Sequence, residues 1–158
     1  MGITLTFQPQ QPTSPQLESS LKADCDRLGA PNTWWSEQPK FLTVSGIGLV
    51  GMMKVSMSGY SLSGGGYQDI DPQEDFLMMW RDIDRIATAL SIWSVLHNIA
   101  WKIALEGEPF GAIDSQGNRS SELEEALQEL LFMSEAPTDA TERAKSIAII
   151  DARYATRW

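Results

Sequence analysis

One stretch, Asp71 to Asn98, constrains the fold more than any other part of the chain. It opens Asp71-Pro72-Gln73-Glu74. That is a carboxylate suited to the free amides of a first turn, a proline where its missing N–H is harmless, and an acid facing back to the cap. Phe76, Met79, Trp80, Ile83, Ile86, Ala87, Leu90 and Trp93 then recur at steps of three and four, one face of an α-helix. The interleaved Arg81, Asp82, Asp84 and Arg85 are expected to lie mostly off that face, in water. Ile92, Val95 and Leu96 add apolar surface on a second side, which predicts that the helix sinks deeper as it runs. Asn98 tolerates the left-handed conformation that closes a helix.

The rest of the chain falls into place around this helix. Ile3, Leu5 and Phe7 alternate as a first strand over 3–7, and a short helix carrying Leu17, Leu21, Cys25 and Leu28 runs from the cap Ser14-Pro15 to Gly29. Phe41 to Leu62 mixes β-formers with glycine and serine and predicts two strands, near 41–50 and 52–62, with glycines supplying bends or a bulge. After Asn98, the alternation of Ile99, Trp101, Ile103 and Leu105 with Ala100, Lys102 and Ala104 favours a strand over 99–105. A helix continuing through Leu105 is the alternative. A turn at Glu106–Pro109 and a strand over 110–113 follow. Ser121-Glu122-Leu123-Glu124 reads as a capping box, and Asp139 with Glu142 opens a last helix. The short link between these two helices predicts antiparallel neighbours. Strands paired locally between helices indicate an α+β fold in a single domain. A small antiparallel sheet packs on the long central helix (about 72–97) and two C-terminal helices.

Composition excludes several classes of function. A net charge of −9 lacks the basic surface that nucleic acid requires, and no apolar run reaches the length of a membrane span. Residues 1–7 carry no basic side chain and read as a strand, not a leader, so the cytoplasm is the expected compartment. The single cysteine, Cys25, forms no internal disulfide and is expected as a small core residue.

Motifs that suggest chemistry each meet a plainer reading. Gly46-Ile47-Gly48-Leu49-Val50-Gly51 matches G-x-G-x-x-G after a strand, but strand-like residues follow where a phosphate-binding helix should begin. Gly59–Ser63 approaches a hydrolase elbow without its last glycine, and His97 is the one histidine available to any nucleophile. Asp69, Asp71, Glu74 and Asp75 gather oxygen ligands, yet Asp71 and Glu74 are explained by capping. Asp114 to Glu125 mimics a calcium loop, but Arg119 stands where glycine is required. No cofactor, metal or catalytic residue is assigned. A small-ligand or nucleotide site near Gly46–Gly51 and His97 is the enzymatic alternative.

Charge and aromatic content point elsewhere. Seven acids and no base lie between Glu122 and Glu142, and the chain carries six tryptophans. Exposed tryptophan beside carboxylates is the chemistry of a protein-binding hot spot. The expected partner-binding residues are Trp34, Trp35, Glu122, Glu124, Glu125, Glu129 and Trp158. In size, acidity and lack of a catalytic set the chain resembles small bacterial immunity or antitoxin-type proteins. That resemblance, one of general character, implies an inhibitor that occludes a more basic protein. A homodimer or structural subunit, paired through the last two helices, is a further alternative.

Overall fold

The computed structural model describes residues 3–29, 33–57 and 70–155. The elements run β1 (Thr4–Pro9), α1 (Pro15–Asp26), β2 (Lys40–Val44), β3 (Gly48–Lys54), α2 (Pro72–His97), β4 (Trp101–Leu105), β5 (Glu108–Ile113), α3 (Ser121–Ser134) and α4 (Ala140–Arg153). The five strands form one antiparallel sheet in the order β2-β3-β1-β4-β5. The architecture is α+β, as the locally paired strands indicate.

One face of the sheet carries the main core. Leu5, Phe7, Phe41, Leu49, Met53, Trp101, Ile103 and Ile113 point inward against Leu21 and Cys25 of α1, Ile83, Ile86, Leu90 and Trp93 of α2, and Leu123 and Leu127 of α3. At its centre Phe7 meets Phe41 edge-on at 5.3 Å, and Phe41 lies 5.8 Å from Trp93 and 5.9 Å from Trp101. Burial pushes the Cys25 thiol up to about 12, so it is an inert core group.

Local chemistry sets the ends of α2. The Asp71 carboxylate accepts from Gln73 N at 2.8 Å, and Asn98 closes the helix in the left-handed conformation at φ 55°. A two-residue turn at Glu106 and Gly107, both at positive φ, joins β4 to β5.

Several expectations need correction. The turn between β2 and β3 falls at 45–47, earlier than the break expected near residue 51, because Gly46 (φ 82°) and Gly48 (φ 100°) supply its left-handed conformations. Gly51 sits within β3, opposite Phe7, where a Cβ would lie 1.9 Å from the ring. The α1 helix stops at Asp26, short of Gly29. Ser120, one residue before the expected cap, accepts from Leu123 N at 3.2 Å and opens α3. The α3 and α4 helices diverge from their corner instead of lying side by side: α3 packs along α2 and β5, whereas α4 crosses the first half of α2. The expected strand residues 58–62 lie outside the described residues, as do Gly59–Ser63, the Gly64–Gly66 loop and Asp69.

The largest correction concerns α2 itself. Asp75 and Asp82, seven residues apart, are buried. The Asp75 carboxylate accepts from Trp35 Nε1 at 2.7 Å, Ser56 Oγ at 2.6 Å and Met57 N at 2.9 Å. Asp82 accepts from Trp35 N at 2.7 Å and from Arg81 Nε at 3.1 Å. Arg81 continues to Asp151 of α4 at 2.7 Å, and Arg85 stacks 3.8 Å over the Trp34 ring while donating to the carbonyls of Leu28 and Thr33. These side chains bind a neighbouring loop to the helix instead of water.

Burial raises the Asp82 carboxyl from 3.8 to about 6, against the opposing pull of Arg81. The folded state then holds its proton more tightly than the unfolded state. Its contribution is full below pH 4 and is lost as pH rises through 6, a change of ~3 kcal/mol. Urea midpoints measured from pH 4 to 7 should fall in the native chain relative to Asp82→Asn over that window; parallel curves would refute the assignment. Gly51→Ala should destabilise by about 1–3 kcal/mol through overpacking against Phe7, read in the same assay.

Candidate functional site

The α3 helix buries Leu123, Leu127 and Leu130 and turns its other side to solvent. On that outer side Glu122, Glu125, Glu129 and Phe132 follow at steps of three, four and three, so all four share one face. The acids are exposed, and Phe132 ends the ridge with 84% of its surface in water, beside a partly exposed Met133. An aromatic ring so bare, next to carboxylates, is a candidate anchor for another protein.

The adjacent flank carries Glu124, Gln128, Leu131 and Glu135. Glu124 lies 3.9 Å from Arg119, whose guanidinium pairs with Asp84 at 2.7 Å. Where α3 meets α4 a groove of ≈ 510 Å³ opens between Phe132, Leu131, Pro137 and Arg143. The Arg143 cation is already engaged: it lies 4.7 Å over the Trp80 ring and donates to the carbonyls of Pro137 and Thr138. Glu135 turns the chain there in the left-handed conformation, φ 54°.

The structure treats the expected site residues unequally. Glu122, Glu124, Glu125 and Glu129 are all exposed on α3, the first, third and fourth on a single face. Trp34 and Trp35 are not surface groups; both are wholly buried. Their loop is drawn inward because Asp75 and Asp82 accept the indole and amide N–H of Trp35, and Arg85 covers Trp34. Trp158 lies outside the described residues. Phe132 joins the glutamates, since its spacing from Glu122, Glu125 and Glu129 places it on the acidic side and off the leucine stripe.

The enzymatic alternative finds little geometry. The Gly46 and Gly48 positions form a hairpin turn, with no helix behind them to face a phosphate. His97 Nε2 stands 3.9 Å from Asp24 Oδ2, beyond hydrogen-bond distance, and Ser94 is fully buried. Asp114 spends its carboxylate on Asn118 N, Asn118 Nδ2 and Gln116 N, at 2.9–3.1 Å; the Asn118 bonds above all hold its pKa below the ordinary range and explain the acid as a turn former. Among the described residues no group of three or more His, Cys, Asp or Glu is placed to hold a metal, and no helix is long and apolar enough to cross a membrane. No protein-family model, curated protein or solved structure matches the chain.

The interior and exterior aromatics should respond differently to substitution. Trp35→Phe removes a donor from a buried carboxylate and should cost at least about 2 kcal/mol in urea unfolding. Phe132→Ser should change stability by no more than about 0.5 kcal/mol. Comparable losses would place Phe132 in the packed interior instead.

Proposed function

We propose that this chain is a non-enzymatic binding protein of the immunity or antitoxin type, acting in the cytoplasm by covering the working surface of a more basic protein. The observation that carries this reading is the α3 ridge, where three exposed glutamates lead to a bare phenylalanine on one helix face. Carboxylates steer a basic partner into encounter, and an aromatic ring that enters a pocket of the partner supplies short-range attraction. A net charge of −9 acts in the same direction at longer range.

The reading is tested by affinity capture from extracts of the native source at low salt, using the natural chain beside a variant carrying Glu122→Lys, Glu125→Lys and Glu129→Lys. A basic protein should be recovered in stoichiometric amount by the natural chain, and lost from the variant or at ~0.5 M salt, where the Debye length falls to about 4 Å. Equal recovery by both chains, or no stoichiometric partner at low salt, refutes it.

A further inference from the structure

The α4 helix is held differently from the other three. The α1, α2 and α3 helices all put side chains into the main core under the sheet, and α4 puts none there. Of its residues only Ile150 is buried, while Ile149 stands 60% exposed. Ile147, Ile150 and Tyr154 rest instead on the second cluster, with Trp35, Leu77 and Met78. The other fastenings use arginine. Arg81 of α2 meets Asp151 at 2.7 Å, Arg153 pairs with Glu74 of α2, and Arg143 lies over the Trp80 ring. Asp151 and Arg153 are 42% and 52% exposed, so salt reaches both ion pairs. The corner before α4 divides between its two neighbours. Glu135 N and Ala136 N bond back to Phe132 O and Ser134 Oγ of α3. Pro137 O and Thr138 O accept from Arg143, and Asp139 Oδ2 accepts from Glu142 N, so these three residues are tied to α4. The link from Ala136 to Pro137 is where one set ends and the other begins, and a few such residues suffice for a hinge.

We propose that α4 is a strap that swings off α2 as a unit, on the 136–137 link, while the sheet and the other three helices stay folded. Opening breaks two part-exposed ion pairs, the Arg143–Trp80 contact and the seat of Ile147, Ile150 and Tyr154. The main core loses nothing. Elements with few buried apolar contacts are the ones that open locally. The acids beneath keep their partners, because Asp75 and Asp82 are held by Trp35, Ser56, Met57 and Arg81, none of them on α4. The surface uncovered is apolar: Trp35, Leu77 and Met78 are all buried while the strap is closed. Pro137 and Arg143 also wall the groove beside Phe132, so the position of the strap sets the shape of that groove. Salt weakens both ion pairs and shifts the strap toward its open form.

Hydrogen exchange on the full natural chain is the first test. At ~0.1 M NaCl, amides of 144–152 should exchange at least about tenfold faster than those of 83–93, and with a weaker dependence on added urea. Raising the salt to ~1 M should speed the α4 amides further. Asp151→Asn with Arg153→Gln should speed them about threefold or more at low salt and remove that salt response. Thiol labelling then separates undocking from fraying in place. Met78→Cys puts a thiol in the cluster that α4 covers, and a soluble thiol reagent should modify it at the rate of strap opening. Cys25, buried in the main core, should stay unmodified over the same period. One shared exchange rate and urea dependence for α4 and α2 overturns the proposal. So does a Met78→Cys thiol as unreactive as Cys25, or a salt response that survives in the double variant.

Discussion

Two carboxylates buried on one side of α2 organise the N-terminal half of the helix layer. Asp75 and Asp82 take the indole and amide hydrogens of Trp35, the hydroxyl of Ser56 and the amide of Met57, joining α2 to two segments far away in sequence. A buried carboxylate is tolerated only when its lone pairs are met, so these bonds fix where the two segments cross. Trp35 then becomes the floor of a second cluster with Leu77, Met78 and Ile150, and Tyr154 stands edge-on to it at 5.3 Å. The α4 helix seats on that cluster, and the α3–α4 corner takes its shape from where α4 sits. The route from a buried acid to a surface groove is thus continuous.

Much of the fold was legible because its determinants are local. Caps are short-range chemistry, so Asp71, Pro72 and Asn98 bounded α2, and two-residue alternation bounded β4. The errors share a cause. Periodicity weighs hydrophobicity, so it placed Asp82 in water and Ile92, Val95 and Leu96 in the interior; the structure reverses both. Nothing adjacent in sequence announces that Asp82 meets an amide 47 residues earlier. A tryptophan pair in a proline-flanked loop reads either as surface or as packing over the sheet edge, and composition alone does not choose between the two. Its tryptophans are buried because Asp75 and Asp82 of α2 accept from Trp35 and Arg85 covers Trp34 while taking the carbonyls of Leu28 and Thr33. Of the site, the glutamates were legible from composition, whereas Phe132 needed the helix phase of α3, set by the leucines that it does not accompany.

The two reversals on α2 describe one design. Its outward positions are spent on ion pairs and loop carbonyls where α4 and the loop before β2 lie over it, and they are aliphatic where no described element does. Three neighbouring aliphatic side chains in water contribute little to folding, since each gains no burial, and they add a risk of self-association. The acidic balance of the chain offsets that risk, because copies repel one another at the distances where apolar contact would begin.

In the reading proposed above, the same charge would draw in a basic protein. The α3 glutamates operate at a distance and lose strength as salt screens them, so they govern how fast an encounter forms. Contact through Phe132 would be short-ranged and insensitive to salt, so it would govern how long the encounter lasts. The glutamates alone would make a wet, rim-like contact, and the bare Phe132 ring at the end of the ridge would supply its apolar centre. Arg119, which bridges Asp84 and Thr88 of α2 at the threshold of α3, holds the ridge to the rest of the helix layer.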